Sequence, residues 1–155
     1  MTSWGYFASP IGLIRAAASP DGLLEARLAG APSHEEAGPG WEHVLAFFDF
    51  AEAYFRGRRP RWRGRLDLAG HTPRQLALWH EVMEIPYGET VSYAELGRRL
   101  QMHPRSIGAG MRAAPVLLVI PAHRVIHADG RVGGFAGFSD VKKWLLEFER
   151  RTLSR

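Results

Sequence analysis

The residues with the clearest potential for chemistry lie in Pro121-Ala122-His123-Arg124, which follows an apolar run at residues 116–120. The chain has no cysteine, which excludes disulfides, thiolate metal sites and catalysis by a protein thiol. Its seven histidines, at positions 34, 43, 71, 80, 103, 123 and 127, fall in no spacing typical of a metal site. We therefore expect neither a metal nor another cofactor.

Arginine dominates the basic residues of this chain. Of the 20 basic side chains 18 are arginine, and the formal net charge is +4. Residues 97–135 contain six arginines and a single acidic residue, Asp129. Because guanidinium groups bind phosphate in a bidentate geometry, this stretch predicts either a phosphate-binding face or a solvated, arginine-rich surface.

Residues 92–114 have the pattern of two short helices joined by a tight turn. Ser92 and Glu95 are spaced as a capping box, and Pro104 is suited to begin the second helix. The pattern predicts either a DNA-reading helix-turn-helix or an ordinary pair of packed helices. Each glycine in the second helix lowers helix stability by roughly 1 kcal/mol. Because this cost needs a reason, we expect another backbone to approach the helix closely at these positions. The small residues of this helix are Ser106, Gly108, Ala109 and Gly110.

A series of motifs in fixed order runs from residue 85 to residue 146. They are Ile85-Pro86-Tyr87-Gly88-Glu89-Thr90-Val91-Ser92-Tyr93, Gly110-Met111-Arg112, residues 120–125, Val132-Gly133-Gly134-Phe135 and Lys143-Trp144-Leu145-Leu146. In this order and at these spacings the chain resembles the O6-alkylguanine-DNA alkyltransferases. That family flips an alkylated guanine out of the duplex and moves the alkyl group to a cysteine in a Pro-Cys-His-Arg motif.

Alanine at position 122 stands where that family has its acceptor cysteine. Ala122 has no lone pair with which to attack, and no other cysteine could replace it, so alkyl transfer to a thiol is excluded. The chain is therefore similar to the alkyltransferase-like proteins, which bind the lesion and pass it to nucleotide excision repair. The resemblance implies a non-enzymatic sensor of O6-alkylguanine in double-stranded DNA.

The resemblance also implies DNA-binding roles for the predicted helix pair. Tyr93 corresponds to the tyrosine that crowds the phosphate of the flipped nucleotide, and Arg105 to the arginine that fills the gap in the duplex. The second helix of this family enters the minor groove, which suits a helix face with small side chains. The DNA-binding residues implied are Tyr93, Arg105, Ser106, Gly108, Ala109 and Arg112.

A lesion pocket is implied in the same way. His123 and Glu149 correspond to the pair that deprotonates the family's cysteine, and without a thiol we interpret them as a vestigial buried pair that braces the pocket. Ala114 and Ala136 replace the family's asparagine and its usual serine, which predicts looser coupling to the helix and a roomier pocket. The pocket residues implied are Tyr93, Met111, Pro121, Ala122, Val132, Gly133, Gly134, Phe135 and Ala136.

Three other functions stay open from the sequence. One is an alkyltransferase inactivated by a cysteine-to-alanine substitution, although Ala114 and the lack of every other cysteine favour a natural variant. Another is a general DNA-binding regulator, which the basic helix pair alone would permit. The last is an enzyme that uses His123, Glu149 and water, although no metal site is present to activate the water.

The elements that position these residues predict an α+β fold in two domains. Residues 4–29 predict a small antiparallel sheet with two turns, and residues 41–55 predict a helix that covers it. Residues 1–68 are expected to form a structural domain that the resemblance implies is RNase H-like. Residues 69–155 are expected to form a mostly helical, winged helix-turn-helix-like DNA-binding domain.

Residues 56–65 form what we call the arginine segment, with six arginines and no helical or strand periodicity. It predicts a linker between the domains, with contact to DNA as the alternative.

The location and partners of the chain are further expectations. No apolar run approaches the roughly 20 residues of a membrane span, and the first residues lack the features of a secretory signal. We therefore expect a cytoplasmic monomer without membrane contact. Its expected partners are double-stranded DNA containing O6-alkylguanine and nucleotide excision repair proteins.

Overall fold

The computed structural model describes residues 2–135 and 138–154. The chain divides into two compact units, the first extending to Ala69 and including Pro115–Leu117, the second comprising Gly70–Ala114 and Leu118–Arg155. The sequence division had placed residues 115–117 in the second domain. They lie in the first because Ala26 donates its backbone N–H to the Pro115 carbonyl at 2.9 Å and accepts from the Leu117 N–H at 2.9 Å.

The first unit contains the predicted three-stranded antiparallel sheet with its strands in sequence order. The strands are β1 (Ser3–Ser9), β2 (Gly12–Ser19) and β3 (Gly22–Ala29). Helix α1 (Trp41–Phe55) packs against all three strands. Its buried side chains recur at helical spacing and fill the space over the sheet, as the apolar stripe in the sequence indicates. They are Val44, Phe47, Ala51 and Tyr54.

The second unit is mostly helical. Its long elements are α2 (Pro73–Met83), α3 (Tyr93–Leu100), α4 (Pro104–Ala113) and α5 (Ser139–Leu153). Two short strands, β4 (Val91–Ser92) and β5 (Val125–Ile126), pair in parallel. The combination of a small antiparallel sheet and a helical unit confirms the predicted α+β fold class.

The apolar run at residues 116–120 does not form a strand. Apart from the single bridge at Val116, its residues form a turn in which Leu118 has a φ of 71°. The run is nevertheless largely buried and leads directly into the 3₁₀ turn Ala122–Arg124. The start of the Pro121-Ala122-His123-Arg124 motif is therefore held in place by the burial of this run and not by strand pairing.

Helix α2 begins with a complete capping box. The Thr72 hydroxyl accepts from the Gln75 backbone N–H at 3.1 Å, and the side-chain Oε1 of Gln75 accepts from the Thr72 N–H at 2.9 Å. At the start of α3 the predicted box is half present, because the Ser92 hydroxyl accepts from the Glu95 N–H at 3.0 Å. The Glu95 carboxylate instead pairs with two arginines on the next turn, Arg98 and Arg99.

Candidate nucleic-acid interface

Helices α3 and α4 meet in a tight turn. The Met102 N–H donates to the Gly97 carbonyl at 2.8 Å, and a Cβ at Gly97 would lie 2.5 Å from the Met102 carbonyl oxygen. Gln101 turns the chain with a left-handed φ of 55°, and Nδ1 of His103 accepts from the Arg105 N–H at 3.0 Å to cap α4. Glycine at 97 is therefore required by the turn, and the two helices have the predicted helix-turn-helix order.

One face of α4 is open to solvent. Arg105, Ser106, Ala109 and Arg112 are exposed, and Gly108 is half-buried. Positions 105, 108, 109 and 112 share one helical stripe, so two arginines flank a short stretch with almost no side-chain bulk. The arginines of this face can contact phosphates, and its small side chains allow a narrow, phosphate-lined groove to approach the backbone of α4 closely.

Gly110 does not belong to that face, although the sequence interpretation had grouped it there. It is buried against α2, and a Cβ at this position would lie 2.3 Å from Cδ2 of Leu78. Its carbonyl accepts the Nε1–H of the buried Trp79 at 3.0 Å. Helix packing therefore explains Gly110, whereas Gly108 has only the end of Arg112 nearby, at 3.6 Å.

Tyr93 is half-buried at the first position of α3, where it lies against residues that follow the Pro121-Ala122-His123-Arg124 motif. Its ring centroid is 5.0 Å from that of His127, and its hydroxyl accepts a hydrogen bond from Nζ of Lys142 at 3.1 Å. Burial raises the pKa of Tyr93, and the positive charge of Arg112 opposes that rise. The phenol therefore stays neutral at physiological pH.

Lys142 was missed by the sequence interpretation. Its side chain is fully buried on α5, and Nζ also donates to the carbonyls of Val125 at 2.6 Å and Gly134 at 3.3 Å. Burial lowers the pKa of Lys142 to about 8. A sequence signal did exist, because Lys142 shares the buried stripe of α5 with Leu145 and Glu149, and charged residues on an apolar stripe are unusual.

The expected pocket wall follows β5. Gly133 has a left-handed φ of 83°, and a Cβ there would lie 3.1 Å from Oη of Tyr93 and 3.2 Å from Nε2 of His127. Val132 and Phe135 are half-buried, whereas Gly134 is exposed. Ala136, the last predicted member of the wall, lies outside the described residues. Glycine at 133 thus allows the wall to approach the Tyr93 hydroxyl.

The position of the missing thiol is buried. Ala122 is 8% exposed, and its N–H donates to the Ile120 carbonyl at 2.7 Å. Pro121 before it is buried, and Met111, expected in the same pocket, is also 8% exposed. The methyl group of Ala122 therefore places no polar atom at the position of the missing thiol.

His123 and Glu149 form a buried pair with Arg124. Nε2 of His123 lies 2.5 Å from one carboxylate oxygen of Glu149, and Nε and Nη2 of Arg124 donate to the two oxygens at 3.0 and 3.1 Å. The Gly88 N–H adds a fourth bond at 2.8 Å, and Nη1 of Arg124 donates to the Ile85 carbonyl at 2.9 Å. Glu149 therefore joins α5 to the 3₁₀ turn and to Gly88, and Arg124 joins the turn to Ile85.

Both members of the pair have lowered pKa values. Burial alone would raise the pKa of Glu149, but the hydrogen bonds and charges of His123 and Arg124 outweigh it and hold the pKa at about 2. Burial lowers the pKa of His123, against the opposing effect of Glu149. We infer a neutral imidazole that donates to an ionised carboxylate. This pair is suited to fixing the turn in place.

A groove beside this cluster is distinct from the expected lesion pocket. It is lined by Gly88 and Thr90 on one side and by residues of α5, including Lys143 and Glu147, on the other. Among the described residues that were expected in the lesion pocket, only Val132 lines this groove.

Two further findings concern the described residues. Over 2–135 and 138–154 there is no group of three or more histidine, aspartate or glutamate side chains that could hold a metal ion. Among the described helices, none has the length and apolar character needed to cross a membrane.

Comparison with known proteins identifies the family. Residues 73–151 match the family model described as "6-O-methylguanine DNA methyltransferase, DNA binding domain". The chain belongs to this family. The match spans helices α3 and α4, the residues expected to form the pocket wall and most of α5, including Lys142 and Glu149.

Individual relatives cover almost the whole chain. A "DNA base-flipping protein" of Thermus thermophilus is 44% identical over 93% of this chain and 97% of its own length. A "Methylated-DNA--protein-cysteine methyltransferase" of Methanosarcina acetivorans is 33% identical over 94% of this chain and 97% of its own. Because this family member has no cysteine, transfer of an alkyl group to a protein thiol is chemically excluded.

A solved structure agrees with the sequence relatives. The Mycobacterium tuberculosis OGT "in complex with DNA" superposes with a TM-score of 0.83 at 30% identity, covering 96% of this chain and 93% of that one. The family assignment therefore extends to both units of the fold.

Proposed function

We propose that this family member is a non-enzymatic sensor that flips O6-alkylguanine out of duplex DNA and holds it in a pocket beside Tyr93. The observation that carries the proposal is the contrast around Ala122. Hydrogen bonds with Lys142 and Glu149, and the close approach of Gly133, hold the neighbouring residues in place. The position of the acceptor thiol holds only a methyl group. Without a reaction, the energy of binding is retained in a lasting complex.

The similarity to the base-flipping protein and to an OGT solved with DNA supports this proposal. In it, Arg105 enters the duplex and fills the gap, while Ser106, Gly108, Ala109 and Arg112 lie against the groove and its phosphates. Met111, Pro121, Ala122 and residues 132–136 form the pocket for the flipped base. The proposed division places the structural domain in residues 1–68 and the DNA-binding domain in residues 69–155.

The fate of the bound lesion belongs to the same proposal. A lasting complex marks the damaged site, and we propose that nucleotide excision repair proteins recognise it. A cytoplasmic location and a monomeric state, both expected from the sequence, stay predictions.

The test compares binding of matched duplexes containing O6-methylguanine or guanine at one fixed salt concentration, because affinity for DNA depends steeply on salt. We expect tighter binding of the modified duplex, with the methyl group still on the DNA when its mass is measured after incubation. Equal affinity for the two duplexes would favour a general DNA-binding regulator. Disappearance of the methyl group would instead favour an enzyme that uses His123 and Glu149 with water.

A further inference from the structure

The proposed sensor function assigns no role to the arginine segment at residues 56–65. All six of its arginines are exposed, and the segment contains no acidic residue. Residues 1–69 contain eight basic and eight acidic residues, so the first unit is neutral overall. Six of its eight positive charges are nevertheless concentrated in these ten residues.

The segment is held against the first unit. The Trp62 ring packs edge-on to Phe50 of α1, with centroids 5.7 Å apart. The Arg65 carbonyl accepts from the Leu23 N–H at 2.8 Å, and Leu66 forms a parallel bridge to Leu23 on β3. The backbone therefore has a defined path with arginines on its exposed side, unlike a solvated linker.

At least three of these six arginines have no acidic partner among the described residues. Arg56 pairs with Glu52 one turn earlier on α1, at 2.9 Å. In the part of the chain that the structure describes, Arg58, Arg61 and Arg63 form no ion pair. Like charges at this density repel each other, and a polyanion removes that repulsion on binding.

We propose that the arginine segment is a second phosphate-binding surface, which contacts the DNA backbone whatever the base sequence or alkylation state. Guanidinium groups suit phosphate because they donate two parallel hydrogen bonds and remain charged at all physiological pH values. DNA is favoured over an acidic protein because the chain belongs to a family defined by a DNA-binding domain. The proposal rests on DNA binding and does not require recognition of the lesion.

The experiment measures the dissociation constant for plain and O6-methylguanine duplexes between 50 and 200 mM salt, for wild type and for R58Q/R61Q/R63Q. Each phosphate contact contributes about 0.9 to the slope of log affinity against log salt, or about 3.5-fold over this range. We expect the variant to lose affinity for both duplexes by the same factor and to show a shallower slope. The preference for the modified duplex, if present, should be unchanged.

Two comparison variants keep the result interpretable. R58K/R61K/R63K retains the charge and should keep the slope of the wild type. R27Q/R150Q/R151Q removes three exposed arginines elsewhere and should leave the slope unchanged. The proposal is overturned if folded R58Q/R61Q/R63Q, checked by circular dichroism, has the wild-type slope on both duplexes, which would favour an acidic protein as the partner. Failure of the sensor function would appear separately, as equal affinity for the two duplexes.

Discussion

Nζ of Lys142 donates a hydrogen bond to Oη of Tyr93 at 3.1 Å from a fully buried position on α5. The same ammonium group donates to the carbonyls of Val125 and Gly134. One side chain thus joins the first residue of α3, the strand β5 and Gly134 of the proposed pocket wall. The position of Tyr93 therefore depends on Lys142, which lies 49 residues later in the chain.

Replacement of Lys142 should disturb both folding and lesion recognition. In K142M two carbonyls lose their charged donor, which should reduce the free energy of unfolding by about 2 kcal/mol. K143M, at the exposed neighbouring residue, is the control and should change it by no more than about 0.5 kcal/mol. Urea unfolding and binding of the modified duplex measure the two effects, and equal behaviour of the variants would contradict this role for Lys142.

Acid should destabilise the protein through the buried pair. Glu149 has a folded pKa of about 2 against an ordinary value of 4.5, so the unfolded chain binds more protons between these pH values. Its stabilising contribution, about 3 kcal/mol for such a shift, is present above pH 4.5 and is lost as the pH falls towards 2. The lowered pKa of His123 adds a loss that begins below its ordinary 6.5.

The variant E149Q tests the acid effect. It should be less stable than the wild type at pH 7, because Arg124 loses its ionised partner, and should lose less stability between pH 4.5 and 2. E147Q changes an exposed carboxylate of the same helix and should retain the wild-type pH profile. Thermal unfolding from pH 7 to 2 provides the measurement, and a wild-type acid profile for E149Q would refute the assignment.

The two glycines of α4 provide a matched pair. In G110A the new methyl group meets the buried Leu78, so stability should fall by about 1–3 kcal/mol. In G108A the space is open, so stability should rise by up to about 1 kcal/mol, while DNA affinity falls if this face enters a groove. Unfolding and DNA-binding measurements separate the cases. Unchanged DNA affinity in G108A would argue against groove contact.

Arg105 should act in binding and not in folding. Because its side chain is exposed, R105A should retain the stability of the wild type but lose the preference for the modified duplex. R105K should retain part of the affinity for plain DNA through its charge, yet lose the same preference because an ammonium group stacks poorly on bases. R74A, at an exposed arginine on α2, is the control. A full lesion preference in R105A would remove this residue from the proposed mechanism.

Much of the local structure could be predicted from the sequence. Turn residues between short apolar runs predicted the strands, and the apolar stripe of α1 predicted its bounds, because both depend on local backbone preferences. The nature of residues 116–120 could not be predicted in this way. A short, continuously apolar run fits a strand or a buried turn equally well, and the positive φ of Leu118 reflects contacts made elsewhere in the fold.

The sequence by itself determined that no thiol chemistry is available, because the absence of cysteine is a matter of composition and Ala122 occupies the motif position of the acceptor. The pairing of Glu149 with His123, 26 residues apart, was implied by the family resemblance and is present in the structure. Tertiary structure alone decided that Lys142 holds Tyr93 in place across 49 residues of chain. It also assigned Gly110 to the core and Gly108 to the open face, because the space around a glycine is set by neighbours that sequence spacing does not reveal.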